Sequence, residues 1–342
     1  MMNRRRFLGA LGTVACGAVS GCSTLGSTAP GVTVNFAYDA APPHFQAIIM
    51  DHEGWWDEMV GEYEPTDASC NSIVQLLVSG KADIGMIGII PALVVADSNT
   101  ETSVVSASSK EAFVVMISDA VADRFETDGD GFAAFREETG RRFKLGTYPK
   151  GSVSDITARY WVTEVREESL DDVERVHLGG PGASRQALLA GEVDGAVIPE
   201  PTPTLIEERT AASYRRVTQV GEFIPGEPAG VTVVRDEFAE ANPHVVEQFV
   251  GNHAAATEFI AENREQAAAY MSDVYGGDSA LDTATARAAL ESPATQYVSD
   301  PREIFEGTDV LAEYANRLGK TGTVIETEEF FDPSYYERAV EE

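Results

Sequence analysis

Lysine is almost missing from this chain. Among 342 residues there are only Lys81, Lys110, Lys144, Lys150 and Lys320, and lysine and arginine together number 25 against 56 acids, a net charge of −31. So acidic a surface repels phosphate backbones and argues against nucleic acid as a partner. Cysteine is rare too, at positions 16, 22 and 70. The five histidines (His44, His52, His177, His244, His253) show no His-Glu-x-x-His or other paired ligand spacing. A Gly-x-Ser-x-Gly elbow and a Gly-Lys-[Ser/Thr] phosphate loop are both absent. No catalytic residue, metal or cofactor is therefore expected. Beyond the first twenty-two residues no apolar run is long enough to cross a bilayer.

What is present is ordinary globular material, 43% apolar and 24% charged, in a chain of a length that suits two compact lobes. The acids are spread along the chain rather than gathered in a tail. With the lysine scarcity, this reads as a halophile's protein, kept soluble in concentrated salt; an acidic secreted protein is the plainer alternative.

The chain opens with Asn3-Arg4-Arg5-Arg6-Phe7-Leu8, a short apolar stretch over 9–19, and Ser20-Gly21-Cys22. A charged start, a short apolar core and small residues before a cut site make an export signal over 1–21. The paired arginines resemble a twin-arginine signal. Val19-Ser20-Gly21-Cys22 resembles a lipoprotein box, in which Cys22 carries the lipid and residues 22–31 form a tether. Cys70 then remains alone, which excludes an intrachain disulfide; at the start of a helical pattern it reads as a small buried residue.

From residue 32 onward the pattern alternates. A β-rich run at 32–38 is broken by Pro42-Pro43 before a helical stretch over 44–53. Helical spacing over 69–79 stops at Gly80, a buried strand follows at 82–87, Pro91 opens a helix, and strand-like runs cover 102–107 and 112–118. The alternation restarts with strands at 143–148, 173–178 and 194–198 and helices at 152–166 and 182–190, then strands at 215–220 and 230–235. After Phe238 the pattern is helical, apart from a turn at Gly276-Gly277. Two such blocks predict two α/β lobes, each a mixed, mainly parallel sheet flanked by helices. In such sheets ligands sit beyond the carboxyl ends of strands, in the strand-to-helix loops.

Three segments resemble a known family: Leu77-Val78-Ser79-Gly80-Lys81-Ala82-Asp83-Ile84-Gly85-Met86, Lys150-Gly151-Ser152-Val153-Ser154-Asp155, and Ala187-Leu188-Leu189-Ala190-Gly191-Glu192-Val193-Asp194-Gly195-Ala196 followed by Glu200-Pro201. With the lipobox, they resemble solute-binding proteins of ABC importers in the nitrate/sulfonate/taurine group and its pyrimidine-precursor relatives. The likeness spans about the whole mature chain, though each motif is generic. It implies the two-lobed clamshell of periplasmic binding proteins (type II), with one lobe over 32–117 plus 226–342 and the other over 118–225. It further implies a lipid-anchored monomer outside the cell that captures an anionic or zwitterionic organic solute by hinge closure and delivers it to a permease and its ATPase. The alternatives are a clamshell enzyme of pyrimidine or menaquinone precursor metabolism, against which the export signal argues, and a surface sensory module.

Candidate ligand-binding residues follow from the loops. Gly151, Ser152, Val153, Ser154 and Asp155 open a helix, where amides and hydroxyls suit an oxyanion; a Ser cap with an acidic first turn is the plainer reading. Ala41, Pro42 and His44 lie beyond the first strand, Gly88 and Ile89 beyond a matching one, Ser108 near a strand end and Gly182 in a glycine-rich loop. Glu200 suits a ligand amine, or else pairs with an arginine near the hinge. Glu126-x-Asp128-x-Asp130-Gly131 with Glu137 matches a calcium-loop spacing, which arises easily in so acidic a chain.

Overall fold

The first strand, β1 (Thr33–Tyr38), hides alternate side chains, and Pro42-Pro43 then closes it and opens a short turn of helix into α1 (Phe45–His52). The computed structural model describes residues 31–125, 129–208, 214–276 and 281–341. The export signal, Cys22 and the tether to residue 30 lie outside the described residues, as do Glu126, Asp128 and Gly277.

After α1 come β2 (Glu62–Asp67), α2 (Cys70–Val78), β3 (Ile84–Ile87), α3 (Ile89–Ala96) and β4 (Thr102–Lys110). The next block holds β5 (Phe113–Ser118), α4 (Gly131–Thr139), β6 (Phe143–Thr147), α5 (Val153–Tyr160), β7 (Val173–His177), α6 (Pro181–Leu189), β8 (Gly195–Pro199), α7 (Thr202–Glu208) and β9 (Tyr214–Gln219). The chain then returns through β10 (Pro228–Arg235), α8 (Asp236–Ala241), α9 (Pro243–Glu262), α10 (Arg264–Gly276) and α11 (Thr283–Leu290). It finishes with β11 (Gln296–Tyr297), α12 (Phe305–Arg317), α13 (Thr327–Phe330) and α14 (Ser334–Val340).

These strands make two sheets, ordered β11-β4-β10-β3-β1-β2 and β7-β6-β8-β5-β9. The two-lobed α/β class expected from the sequence is the one found. The expectation of mainly parallel sheets needs correction. In each sheet three strands pair in parallel, β2-β1-β3 and β7-β6-β8. The strand that arrives from the other sheet, β10 or β5, pairs antiparallel on both of its sides. The crossover reverses its direction, so the parallel βαβ unit covers only part of each sheet.

The chain passes between sheets twice, at Glu111-Ala112 and over residues 220–227, and the two crossings are bonded together. The Glu111 amide donates to Glu227 O at 2.8 Å and the Gly226 amide to Glu111 Oε1 at 2.8 Å. Glu111 holds a positive φ of 52° there.

Other elements depart locally from the sequence reading. The helix opened by Ser152 passes at Trp161–Val165 into a π-turn. β2 was not anticipated. Its Glu-Tyr-Glu-Pro-Thr-Asp lacks an apolar alternation, because it is an exposed edge strand lying parallel to β1.

Candidate functional site

β1, β2, β3, β6 and β7 all point their carboxyl ends at one cavity of about 310 Å3. One wall comes from the loops after β1, β2 and β3, through Asp39, Ala41, Pro43, His44, Asp67, Ser69, Cys70, Gly88 and Pro91. The facing wall comes from the loops after β6 and β7, through Tyr148, Pro149, Lys150, Ser152, Val153, Gly180 and Pro181. Phe113 and Ala229, from the two strands that begin just past the crossings, complete it. The walls meet closely. A Cβ on Gly88 would lie 2.8 Å from Val153 Cγ2, so a side chain at 88 would push α3 away from α5.

Of the expected residues, Ala41, His44, Gly88, Ser152 and Val153 line this cavity. The others lie elsewhere. Ile89 is fully buried in α3. Ser108 is fully buried in β4, where its hydroxyl meets His253 Nε2 at 3.3 Å and its carbonyl accepts from Gln46 at 2.6 Å. Pro42 borders a separate gap of about 10 Å3 beside Glu200, and Gly182 is absent from the lining although Gly180 and Pro181 are in it.

The loop after β6 differs from its reading as an oxyanion seat. Ser152 caps α5 by accepting the Asp155 amide, and Asp155 accepts the Gly151 amide at 3.0 Å. Asp155 also accepts Arg175 at 2.6 Å and lies 3.5 Å from Arg159. Burial would raise its carboxyl, but the Gly151 amide and the two guanidiniums carry it below the usual range. Two of the amides at the start of α5, those of Gly151 and Asp155, are thus taken within the chain. Ser154 is buried behind it, accepting the Tyr148 amide at 3.0 Å and donating to Val197 O at 2.6 Å, which ties α5 to β6 and β8.

Glu200 was expected to meet either a ligand amine or an arginine. It is 3% exposed, accepts Arg216 at 2.6 Å and the Thr204 amide and hydroxyl at 3.1 and 2.9 Å, and does not line the main cavity. Gly151 is likewise beside the lining rather than in it, with Lys320 Nζ 3.2 Å from its Cβ position.

Several lining groups went unnoticed in the sequence. Asp39 is half-buried and accepts the Cys70 thiol at 2.9 Å. Burial raises the Asp39 carboxyl, the Cys70 bond opposes this, and Asp67 raises it further. Asp67 accepts the Ala40 amide at 3.3 Å. Burial pushes the Cys70 thiol well up, with Asp39 adding to the shift, so it stays a protonated donor. His44 is driven by burial down to about 3 and is neutral, and its Nδ1 has no hydrogen-bond partner. Tyr148 is 8% exposed, and its buried hydroxyl also lacks a partner. An Asp just past a strand end was the available signal for Asp39, whereas Asp67 required seeing β2.

Among the described residues no group of His, Cys, Asp and Glu is arranged to hold a metal, and no helix is long and apolar enough to cross a membrane. Asp130 sits before α4 and Glu137 within it.

Residues 27–274 match the NMT1-like family. No curated protein sequence matches the chain. Among solved structures, the periplasmic nitrate-binding protein NrtA from Synechocystis PCC 6803 is 14% identical, with 91% of this chain and 89% of that one covered and a TM-score of 0.72. The periplasmic aliphatic sulphonate-binding protein SsuA from Escherichia coli is 16% identical, covering 88% and 92%, with a TM-score of 0.67. The alkanesulfonate-binding SsuA from Xanthomonas axonopodis pv. citri, bound to MOPS, is 16% identical, covering 89% and 99%, with a TM-score of 0.67. At such identities the likeness is one of fold, and it is the two-lobed binding-protein fold described above. By the match over residues 27–274, the chain belongs to the NMT1-like family.

Proposed function

We propose that this chain is the extracytoplasmic receptor of an ABC importer. It captures a small organic solute between its lobes and presents it to a permease and its ATPase, making and breaking no covalent bond. The observation that carries this reading is the cavity built at the carboxyl ends of strands from both sheets, with loops of both sheets on its walls. The lobes, expected at 32–117 plus 226–342 and 118–225, would have their first boundary at Glu111-Ala112 instead, since β5 (Phe113–Ser118) pairs with β8 and β9, and would close about the two bonded crossings at Glu111 and Gly226-Glu227. Export through the arginine-led signal and a lipid on Cys22 would hold the receptor, as a monomer, at the outer face of the cell membrane. NrtA and SsuA, which share the fold, are named as nitrate- and sulphonate-binding proteins, which supports the transport reading.

The test is a thermal-shift screen of the mature domain in high salt against sulfonates, nitrate, carboxylates and organic amines, with each solute recovered and weighed by mass spectrometry. The reading expects one class to raise the melting temperature and to come back unaltered. A converted solute, or no shift with any class, overturns it.

A further inference from the structure

The cavity is poorly furnished for an oxyanion. Among the described residues, Lys150 is the only lysine or arginine on its wall, and it is exposed. Three of the helix starts at the cavity lose amide donors to proline, at Pro43, Pro91 and Pro181, whereas α2, entered through Ser69, Cys70 and Asn71, has no proline there. At α5 the amides of Gly151 and Asp155 are already taken within the chain. Against one cation stand two carboxylates, Asp39 and Asp67, close enough that Asp67 raises Asp39. Beside them are two polar groups that the fold buries and leaves unsatisfied, Tyr148 Oη and His44 Nδ1. Both atoms are sealed from solvent, with His44 Nδ1 against Gly230 of β10, so these two side chains meet the cavity through the rest of their rings.

We propose that this cleft selects an apolar-bodied solute bearing an amine or amidine group, with Asp39 as its principal anchor, Asp67 adding negative potential, and the Tyr148 and His44 side chains walling its apolar body. This rests on the receptor reading and narrows it. Of the anionic or zwitterionic solutes that the sequence resemblance implied it turns away from the purely anionic ones, and from those that NrtA and SsuA are named for. Asp39 already accepts the Cys70 thiol through Oδ2, and an N–H donor would add charge-assisted bonds to the same carboxylate. The rings of Phe113 and Tyr148 on the wall suit a cation held against an apolar body.

The experiment compares benzylamine and benzamidine with ethanesulfonate and nitrate, each at millimolar concentration and fixed salt, on the mature domain and its D39N variant, by thermal shift and calorimetry. The two amines should raise the melting temperature and the two oxyanions should not. D39N should weaken benzylamine by about tenfold or more. Stabilisation by the oxyanions without the amines overturns the inference and leaves a receptor. Undiminished amine binding in D39N, or no shift with any probe, also overturns it. Chemical conversion of a probe overturns the receptor reading itself. The wild-type comparison stands even where D39N fails to fold.

Discussion

Asp155 shows what a single carboxylate does when three donors converge on it. It accepts Arg175, neighbours Arg159 and takes up the Gly151 amide, so α5 begins against a satisfied internal charge. Removing it would strand two guanidiniums and an amide at once, and loss of one member of a buried ion pair costs about 3–5 kcal/mol. Asp155→Ala should therefore lower the unfolding free energy by that much, read as a lower urea midpoint at an unchanged slope. A loss within experimental error would contradict the assignment. Glu227 is the opposite case. Burial, opposed by the Ala112 amide and helped by Glu111, lifts its carboxyl to about 8 from 4.5. The folded chain therefore keeps a proton that the unfolded chain releases, and that contribution to stability is complete below about pH 4.5 and lost as pH rises through 8. Relative to Glu227→Gln, the wild-type melting temperature should fall across that window. Parallel pH curves for the two proteins would refute this.

The start of α3 and the start of α5 meet at Gly88 and Val153. Gly88→Ala places a methyl group 2.8 Å from a short β-branched side chain that has little freedom to move. A loss of about 1–3 kcal/mol is expected, with part of it recovered on adding Val153→Ala. Urea unfolding of both single variants and the double variant measures the coupling. Additivity would show that the two loops do not press on each other.

At this scale the sequence was informative where periodicity and punctuation agree. The strand-Gly-Ser-helix run at 146–153 is legible because glycine and serine end one element and cap the next. β2 was not legible, because an exposed edge strand has no buried face to impose alternation and Pro65 reads as a breaker. Missing β2 meant missing Asp67. Glu200 was legible only as a carboxylate for a ligand amine or an arginine; its partner Arg216 lies on β9, and only packing brings the two together. The same holds for Tyr148: its place at a strand end was readable, its unpartnered hydroxyl was not.

For the molecule as a whole, a net charge of −31 means self-repulsion that dilute buffer does little to screen. Raising sodium chloride from about 0.1 to 1 M shortens the screening length from about 10 to 3 Å, so the melting temperature should rise. A flat or falling dependence would show that the acids are already compensated in pairs.

In the proposed receptor, loops of both sheets grip one solute. Hydrogen–deuterium exchange, with and without a solute that raises the melting temperature, tests it most directly. Added protection is expected in residues 39–44 and 67–71 of one lobe together with 148–153 of the other. Protection confined to the loops of a single sheet, or appearing away from this cavity, would contradict it.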